Sequence, residues 1–250
     1  MRILWNNLAD VCTLTDSGEQ SGFPGANVQH PFLIKQLWTL TAAAQWIKFD
    51  AGNGNTLAID TGAIAQHNIS AAASIHLQGN ATDVWTAPSV DIVATWSAGI
   101  ILIDVGSIQT YRFWRFYIDD PTNTTGFLKI GRLGLYPKYQ AQEPPERSII
   151  SGIVDSTVVT FNPSQQTYSD LGTISRTYTI PMGSVKEATR QSLMSIYAAV
   201  GQWKPVIIVP DEAYTSQLPP IYAQQMKVTI YTNTGDGLWL DDGLLFQEVF

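Results

Sequence analysis

Alternating apolar and polar positions predict a mainly β chain. The clearest stretch is residues 111–118, Tyr-Arg-Phe-Trp-Arg-Phe-Tyr-Ile, because aromatic and β-branched side chains favour the pleated surface of a strand. Successive side chains point to opposite faces, so Trp114, Phe116 and Ile118 share one face, which we take as the inner one. Arg112 lies on that face at the start of the strand, where it needs a carboxylate, a carbonyl or the rim of a sandwich. The outer face carries Phe113, Arg115 and Tyr117.

Short strands separated by turn residues recur through the first half of the chain, which is typical of a sandwich or barrel. Asn53-Gly54 is the pair that a tight hairpin turn prefers, so we expect a hairpin there. Residues 71–77 have helical propensity, but the alternation of Ile75 and Leu77 favours a strand. The predicted strands besides 111–118 are 46–50, 56–60, 63–67, 71–77, 90–96, 99–104 and 127–135.

A polar segment divides the chain. Residues 138–147 contain Gln, Glu and Pro and almost nothing that could enter a core, as expected of a linker. We therefore predict a β-sandwich over residues 1–140, a linker over 141–147 and a second, smaller α+β domain over 148–250.

The second domain is predicted to contain one helix. Ser184 and Glu187 fit a capping box, with Ser184 as N-cap, and Gly201 supplies a left-handed end. A one-sided strand over 174–180 precedes the helix, and further strands are expected at 206–209, 227–231 and 244–250. The last of these is so apolar that it must pair inside its own domain or with a neighbouring molecule.

Composition narrows the function classes. Charged residues make up only 14% of the 250 residues, which suits a protein packed against copies of itself or partners, although β-rich secreted domains share this property. The net charge of −7 argues against a nucleic-acid-binding protein, which needs a basic surface.

A single cysteine, Cys12, excludes an internal disulfide. The N-terminus lacks the apolar segment of a signal peptide, and the longest apolar run is too short to span a bilayer, so we expect synthesis in the cytoplasm.

No catalytic constellation is evident. The three histidines, His30, His67 and His76, lack the spacing of a zinc site, and no nucleophile elbow or phosphate-binding glycine loop occurs. Distant carboxylates could still converge in the fold, which keeps a glycan-processing enzyme as a remote alternative. We expect a protein that is not an enzyme and that has no cofactor and no metal site.

Five polar residues form a candidate ligand-contact loop. Each has a structural alternative: His67 and Asn68 would tie a loop to the sandwich, and the turn after the strand at 111–118 would be solvated rather than bind Ca²⁺. The residues are His67, Asn68, Asp119, Asp120 and Asn123.

Three segments of the first 137 residues form a recognisable series: Trp46-Ile47-Lys48-Phe49-Asp50-Ala51-Gly52, the strand at 111–118 and Leu128-Lys129-Ile130-Gly131-Arg132-Leu133. In these segments the first 137 residues resemble the galactose-binding-like jelly roll of discoidin-type domains. More narrowly, Asn7-Leu8-Ala9-Asp10, His67-Asn68-Ile69 and Ile130-Gly131-Arg132-Leu133 look like segments of tail proteins of long-tailed bacteriophages. The order of elements in 148–250 is similar to that of the ring-forming domain of phage distal tail proteins.

This resemblance implies a virion structural protein of a phage tail tip or baseplate. It implies a homo-oligomer, a hexameric ring that joins the tail tube to the tip. DNA would pass through the lumen, and other tail tube and baseplate proteins would be partners. The alternative is a carbohydrate-binding module that contacts a glycan of the host envelope. The ring interface is expected on the terminal strand, at Leu244, Phe246, Glu248 and Phe250.

Overall fold

The computed structural model is mainly β, with one α-helix among the residues that it describes. It describes residues 1–32, 34, 37–41, 44–137, 139–141, 149–161, 167–211, 216–226, 231–233, 238–241 and 243–249. These residues divide into two units, one formed by Arg2–Gln140 and the other by Met1 and Ala141–Val249. The predicted fold class, a jelly-roll β-sandwich followed by a smaller α+β unit with one helix, is confirmed.

The described residues of the first unit form eleven strands and two short 3-10 helices, Leu8–Val11 and Gly25–Gln29. The strands are β1 (Arg2–Leu4), β2 (Thr13–Asp16), β3 (Trp38–Thr41), β4 (Gln45–Asp50), β5 (Leu57–His67), β6 (Ser74–Asn80), β7 (Val90–Val93), β8 (Ile101–Tyr111), β9 (Phe113–Asp119), β10 (Phe127–Tyr136) and β11 (Tyr139–Gln140).

Two antiparallel sheets form the sandwich. The five-stranded sheet has the order β2-β4-β9-β6-β7 and the four-stranded sheet has the order β3-β10-β5-β8. A single hydrophobic core includes large side chains from both sheets, among them Phe49, Trp114 and Phe116 from the five-stranded sheet and Trp38 from the other. The inner face predicted for residues 111–118 is therefore correct.

The turn at Asn53-Gly54 is present, but it does not form the predicted hairpin. Gly54 has a φ of +78°, and the backbone N–H of Asn55 donates to the carbonyl of Gly52 over 3.2 Å. The flanking strands β4 and β5 belong to different sheets. Turn residues specify a local reversal of the chain, whereas the burial of both strands against one core places them in opposite sheets. The strands expected at 56–60 and 63–67 are one strand, β5.

The second unit is built around an antiparallel sheet and one helix, α1 (Glu187–Val200). Its described strands are β12 (Ile150–Asp155), β13 (Val158–Phe161), β14 (Thr167–Asp170), β15 (Ile174–Ile180), β16 (Ser184–Lys186), β17 (Val206–Val209), β18 (Ile221–Gln225), β19 (Tyr231–Asn233), β20 (Leu238–Asp241) and β21 (Leu244–Glu248).

The main sheet has the order β17-β18-β21-β15-β12 within this unit. The helix α1 buries Leu193, Ile196 and Val200. The hairpin of β13 and β14 and a three-stranded sheet of order β16-β20-β19 complete the described part.

The predicted capping box at Ser184 is wrong. Ser184 lies in β16, which pairs with β20, and the helix N-cap is Lys186 without a side-chain hydrogen bond. Because the ladder fixes Ser184 in an extended conformation, the helix begins two residues later than predicted, with Lys186 in place of Ser184 as the N-cap. Glu187 instead accepts hydrogen bonds from Arg190 and Gln191, one turn further along α1. The predicted end is correct, since Gly201 has a φ of +57°.

The terminal strand β21 lies inside the sheet, which corrects the predicted interface. It pairs with β18 on one side and β15 on the other, so its backbone cannot add to the sheet of a neighbour. Leu244 and Phe246 are buried, and Glu248 accepts hydrogen bonds from Arg176. Phe250, most of the predicted strand at 227–231 and linker residues 142–147 lie outside the described residues. Among the described helices, none has the length and apolar character needed to cross a membrane.

Candidate functional site on the five-stranded sheet

The outer side of the five-stranded sheet carries aromatic and charged side chains. On β4, Ile47 and Phe49 are buried in the core, which turns Trp46 and Lys48 to the outside because strand side chains alternate. The burial of Trp114 and Phe116 on β9 in the same way turns Arg115 and Tyr117 outward. None of these four outward side chains is fully buried.

The pairing register aligns these outward side chains in two rows across the sheet. One row contains Trp46 on β4, Tyr117 on β9 and His76 on β6. With strands about 4.8 Å apart, this row spans about 10 Å. The second row lies two residues along each strand and contains Lys48, Arg115, Gln78 and Asp91.

A chain of hydrogen bonds orders the polar side chains. Arg115 donates from Nε to Gln78 Oε1 over 2.9 Å, and Gln78 donates from Nε2 to Asp91 Oδ2 over 3.1 Å. Asp91 Oδ1 lies 2.7 Å from His76 Nδ1, and the His76 ring meets the Tyr117 ring edge to face at 6.0 Å. Because each side chain is held by the next, the face has a defined geometry before any ligand arrives.

The loop between β6 and β7 folds over one end of this surface. The Trp85 ring stacks on the Arg115 guanidinium, with 4.4 Å from Cζ to the ring centroid. Trp85 Nε1 donates to Asp83 Oδ1 over 2.8 Å, and Asp83 forms an ion pair with Lys48. The hydrogen bond from Lys48 lowers the pKa of Asp83 below its ordinary value.

We call this surface the aromatic face and define it by its residues: Trp46, Lys48, His76, Gln78, Asp83, Trp85, Asp91, Arg115 and Tyr117. Partly exposed rings can pack against the C–H face of a flat, polar ligand. The amide, carboxylate, imidazole and guanidinium groups beside them can bind hydroxyl groups, since they supply both donors and acceptors. The surface can therefore bind a molecule that is apolar on one face and rich in hydroxyls at its edge.

The structure brings three of the five predicted loop residues, Asn68, Asp120 and Asn123, into hydrogen-bonding contact elsewhere, at one end of the sandwich. Asn68 accepts from the N–H of Lys129 over 2.8 Å and donates to the carbonyl of Phe127 over 2.8 Å. Asn123 donates to the carbonyl of Asn68 over 3.1 Å and to Asp120 over 3.0 Å. Asp119 is partly exposed at the end of β9, so the adjacent carboxylates of Asp119 and Asp120 have different surroundings.

Asp120 is fully buried and holds two loops together. It accepts from the backbone N–H of Ser70 over 2.8 Å, from the Ser70 hydroxyl and from Asn123. Burial alone would raise the pKa of Asp120, but the hydrogen bonds from Ser70, Asn123 and Thr122 outweigh it and lower the pKa. His67 accepts the N–H of Ile69 at Nδ1, and burial lowers the pKa of its ring. These geometries support the structural alternative for His67 and Asn68, which tie the loop to the sandwich. The turn after β9 is not wholly solvated as expected, because its Asp120 is fully buried.

The aromatic face was not predicted from the sequence, although its signal was present. Both 46–50 and 113–117 alternate a core side chain with an aromatic or cationic one, so Trp46, Lys48, Arg115 and Tyr117 fall on one side of a sheet if the strands are neighbours. What the sequence does not give is that β4, β9 and β6 are adjacent. Trp85 and Asp83 carried no signal, because they come from a loop.

Metal binding finds no support in the described part of the chain. No group of three or more His, Cys, Asp or Glu side chains there is arranged to hold a metal ion.

Comparison with known proteins gives structural likenesses of low similarity. The chain matches no protein-family model and no curated protein. Chitosan-binding module 2 of a chitosanase/glucanase from Paenibacillus sp. IK-5, solved with chitotriose, is 20% identical with a TM-score of 0.41, covering 52% of this chain and 99% of the module. The family 32 carbohydrate-binding module of NanJ from C. perfringens, solved with galactose, is 12% identical with a TM-score of 0.42, covering 54% and 99%. The corresponding module of AlyQ, solved with 4,5-unsaturated mannuronic acid, is 12% identical with a TM-score of 0.39, covering 54% and 98%.

Proposed function

We propose that the first unit is a carbohydrate-binding module that takes a saccharide on its aromatic face. The observation that carries this proposal is the row of Trp46, Tyr117 and His76 beside a row of hydrogen-bonding side chains. A pyranose ring has an apolar C–H face and a rim of hydroxyls, so it can use both rows at once. Ligand sites in general combine aromatic side chains with a few well-placed polar groups.

The hydrogen bonds among the polar side chains fix their positions before a ligand binds, which supports binding without a large rearrangement. Gln78 and Asp91 are already fixed by Arg115 and His76, so the entropy lost on binding is reduced. The sheet surface also accommodates a chain of several sugars, because the row of Trp46, Tyr117 and His76 crosses three neighbouring strands. We therefore expect an oligosaccharide to bind more tightly than a monosaccharide.

The test is a glycan array probed with the full chain, followed by titration of the best oligosaccharide against three variants. We expect Trp46→Ala and Tyr117→Ala each to weaken binding at least tenfold while the melting temperature changes little. Phe23→Ala, which removes a partly exposed ring elsewhere on the first unit, is the matched control and should bind as the parent does.

A fourth variant tests whether saccharides bind instead at the loop end, the end of the sandwich that carries Asn68, Asp120 and Asn123. Trp96 donates from Nε1 to the carbonyl of Ile69 at that end. If Trp96→Ala removes binding while Trp46→Ala and Tyr117→Ala do not, the site is at the loop end and the aromatic face is not the binding surface. If no saccharide binds at all, the proposed function is wrong.

A second candidate function is assembly through the second unit, as in the tail-tip protein that the sequence resembles. The observation that favours it is β12, the outermost strand of its sheet in the described part of the chain. Its Ile150 and Ile153 are 62% and 73% exposed, and neighbouring Ile174 and Val158 are exposed as well. An open edge with apolar side chains is a template for pairing with another chain.

We propose that β12 pairs with a second copy of this chain, in agreement with the expected homo-oligomer. Mass measurement in solution and electron microscopy of the concentrated protein test this candidate. A closed ring supports the tail-tip function, and a monomer at every concentration contradicts it. Both candidates are compatible, since one uses the first unit and the other the second.

A further inference from the structure

Arg115 differs from every other arginine that the structure describes. The five others each form an ion pair with a carboxylate: Arg2 with Asp104, Arg112 with Asp50, Arg132 with Asp10, Arg176 with Glu248 and Arg190 with Glu187. Arg115 instead donates from Nε and Nη2 to the neutral amide oxygen of Gln78. A guanidinium has five N–H donors, so Gln78 satisfies only part of the fork, and no other acceptor contacts it among the described residues.

Two aromatic rings fix the position of this guanidinium. Its Cζ lies 4.4 Å from the centroid of the Trp85 ring and 5.6 Å from that of Tyr117. Rings at these distances attract a cation through their quadrupole and also remove water from it. The guanidinium is thereby oriented and partly dehydrated, which strengthens its interaction with any incoming anion.

The electrostatics of Arg115 are those of a cation without a contacting counter-ion. Burial lowers the pKa of Arg115, although Tyr117, Asp91 and Asp83 act in the opposite direction. By contrast, a hydrogen-bonded carboxylate raises the pKa of Arg112 and of Arg176. The two nearby carboxylates are held by other donors, Asp83 by Lys48 and Trp85, and Asp91 by His76 and Gln78.

We infer that the ligand of the aromatic face is an acidic saccharide, whose oxyanion group pairs with the guanidinium of Arg115. The inference rests on the proposed function and adds the chemical class of its ligand. A planar oxyanion accepts two parallel N–H bonds from an arginine fork, and Trp46 and Tyr117 lie beside it to take the sugar ring. A uronic-acid carboxylate and a sulfate or phosphate ester share this chemistry.

The experiment compares ligands that differ only in charge. The full chain is titrated with polygalacturonate oligosaccharides and with the same oligosaccharides after methyl esterification of their carboxyl groups. A second pair, a sulfated galactan and its desulfated form, distinguishes an ester oxyanion from a carboxylate. We expect at least tenfold tighter binding to the charged member of one pair, and no such preference in Arg115→Gln.

Two further variants keep the test specific. Lys129→Gln removes an exposed positive charge from the other sheet and should retain the full preference for the charged ligand. Arg115→Lys keeps the positive charge but cannot donate two parallel N–H bonds, so it should retain only part of the preference for the charged ligand. This variant still tests the inference if Arg115→Gln proves unstable.

The outcomes separate the inference from the function on which it rests. Equal binding of charged and neutral ligands, with loss in Tyr117→Ala, overturns the inference and leaves the carbohydrate-binding function standing. A preference that survives in Arg115→Gln also overturns it, since another cation would then be responsible. Absence of any saccharide binding, on the array as well as in these titrations, overturns both.

Discussion

Arg112 and Asp50 form a two-point ion pair across the rim of the sandwich. Nε of Arg112 donates to Oδ1 of Asp50 over 2.7 Å, and Nη2 donates to Oδ2 over 2.9 Å. The pair joins the end of β4 to the residue between β8 and β9, and the guanidinium also lies over the Phe113 ring. It meets the expectation from sequence that a cation at the start of this strand needs a carboxylate or the rim.

This ion pair makes the stability of the first unit depend on acid pH. The hydrogen bond from Arg112 lowers the pKa of Asp50 below its ordinary value of 3.8. A lowered pKa in the folded state gives stability that is complete above the unfolded value and is lost as the pH falls through the folded one. Because the pair is partly exposed, we expect Asp50→Asn to cost about 0.2–1 kcal/mol at pH 7.

Urea denaturation of the full chain at pH 7 and below pH 3 measures this effect. The difference between Asp50→Asn and the parent should shrink as the pH falls through the lowered pKa of Asp50 in the folded state, because protonation of Asp50 removes the ion pair. Asp170→Asn, at an exposed position of the other unit, is the control and should show a constant difference. A cost for Asp50→Asn that does not change with pH would contradict the prediction.

Trp114 should be a core residue rather than a ligand platform. Its side chain is fully buried, and its indole N–H is directed at the carbonyl of Leu57 over 3.4 Å. We expect Trp114→Ala to lower the free energy of unfolding by about 3–5 kcal/mol, because it leaves a large cavity. Chemical denaturation measures the loss, and Trp203→Ala, at a site 61% exposed, should change stability little. A stable Trp114→Ala protein that had lost only saccharide binding would refute the assignment.

The sequence predicted well wherever a local pattern determines the result. Alternation on β9 placed Trp114 and Phe116 in the core. The alternation of Ile75 and Leu77 correctly predicted a strand rather than a helix, although β6 begins at Ser74 and not at residue 71. These predictions succeed because burial of large apolar side chains dominates the energy of a strand. They need no knowledge of which strands are neighbours.

The sequence failed wherever the result depends on pairing between distant segments. Ser184 has the side chain of an N-cap, but its pairing with Leu240 on β20 overrides that local preference. The apolar terminal strand was expected to form the interface with a neighbouring molecule, yet it lies between β15 and β18. The aromatic face was not predicted for the same reason, since its residues come from β4, β6, β7, β9 and the loop between β6 and β7. Three of the polar loop residues that were predicted instead, Asn68, Asp120 and Asn123, hydrogen-bond to one another.

Asp120 should contribute to stability and not to saccharide binding. Its carboxylate is fully buried and joins the loop at Ser70 to the turn at Asn123. Removing it in Asp120→Ala leaves the Ser70 N–H without its acceptor, which should cost about 1–3 kcal/mol. Thermal and chemical denaturation measure this cost. The folded fraction of the variant should bind the array ligand with unchanged affinity, and a loss of affinity without a loss of stability would return Asp120 to the candidate ligand contacts.

The two halves of the chain should survive separation. Residues 138–147 contain few residues able to enter a core, so a protease that acts on folded proteins should cleave there first. Limited proteolysis followed by mass spectrometry locates the cut, and a melting curve of each purified fragment tests whether it stays folded. First cleavage within the sandwich, or the absence of a cooperative transition in either fragment, would mean that the predicted boundary is misplaced.

The last prediction concerns assembly and moves the interface from the terminal strand to β12. Phe246 on β21 is buried between neighbouring strands, so Phe246→Ala should destabilise the second unit by about 3–5 kcal/mol and disturb assembly only through unfolding. Deletion of residues 244–250 should do the same. Ile153 on β12 is 73% exposed, so Ile153→Lys should leave the melting temperature close to that of the parent.

A lysine on an edge strand opposes pairing with another chain, because its charge would have to be buried. We therefore expect Ile153→Lys to convert the oligomer to a monomer, as measured by native mass spectrometry. Ile153→Val, which retains the apolar character, should assemble as the parent does. If Ile153→Lys still assembles, or if the parent is a monomer that forms no ring at any concentration, β12 is not the interface between copies.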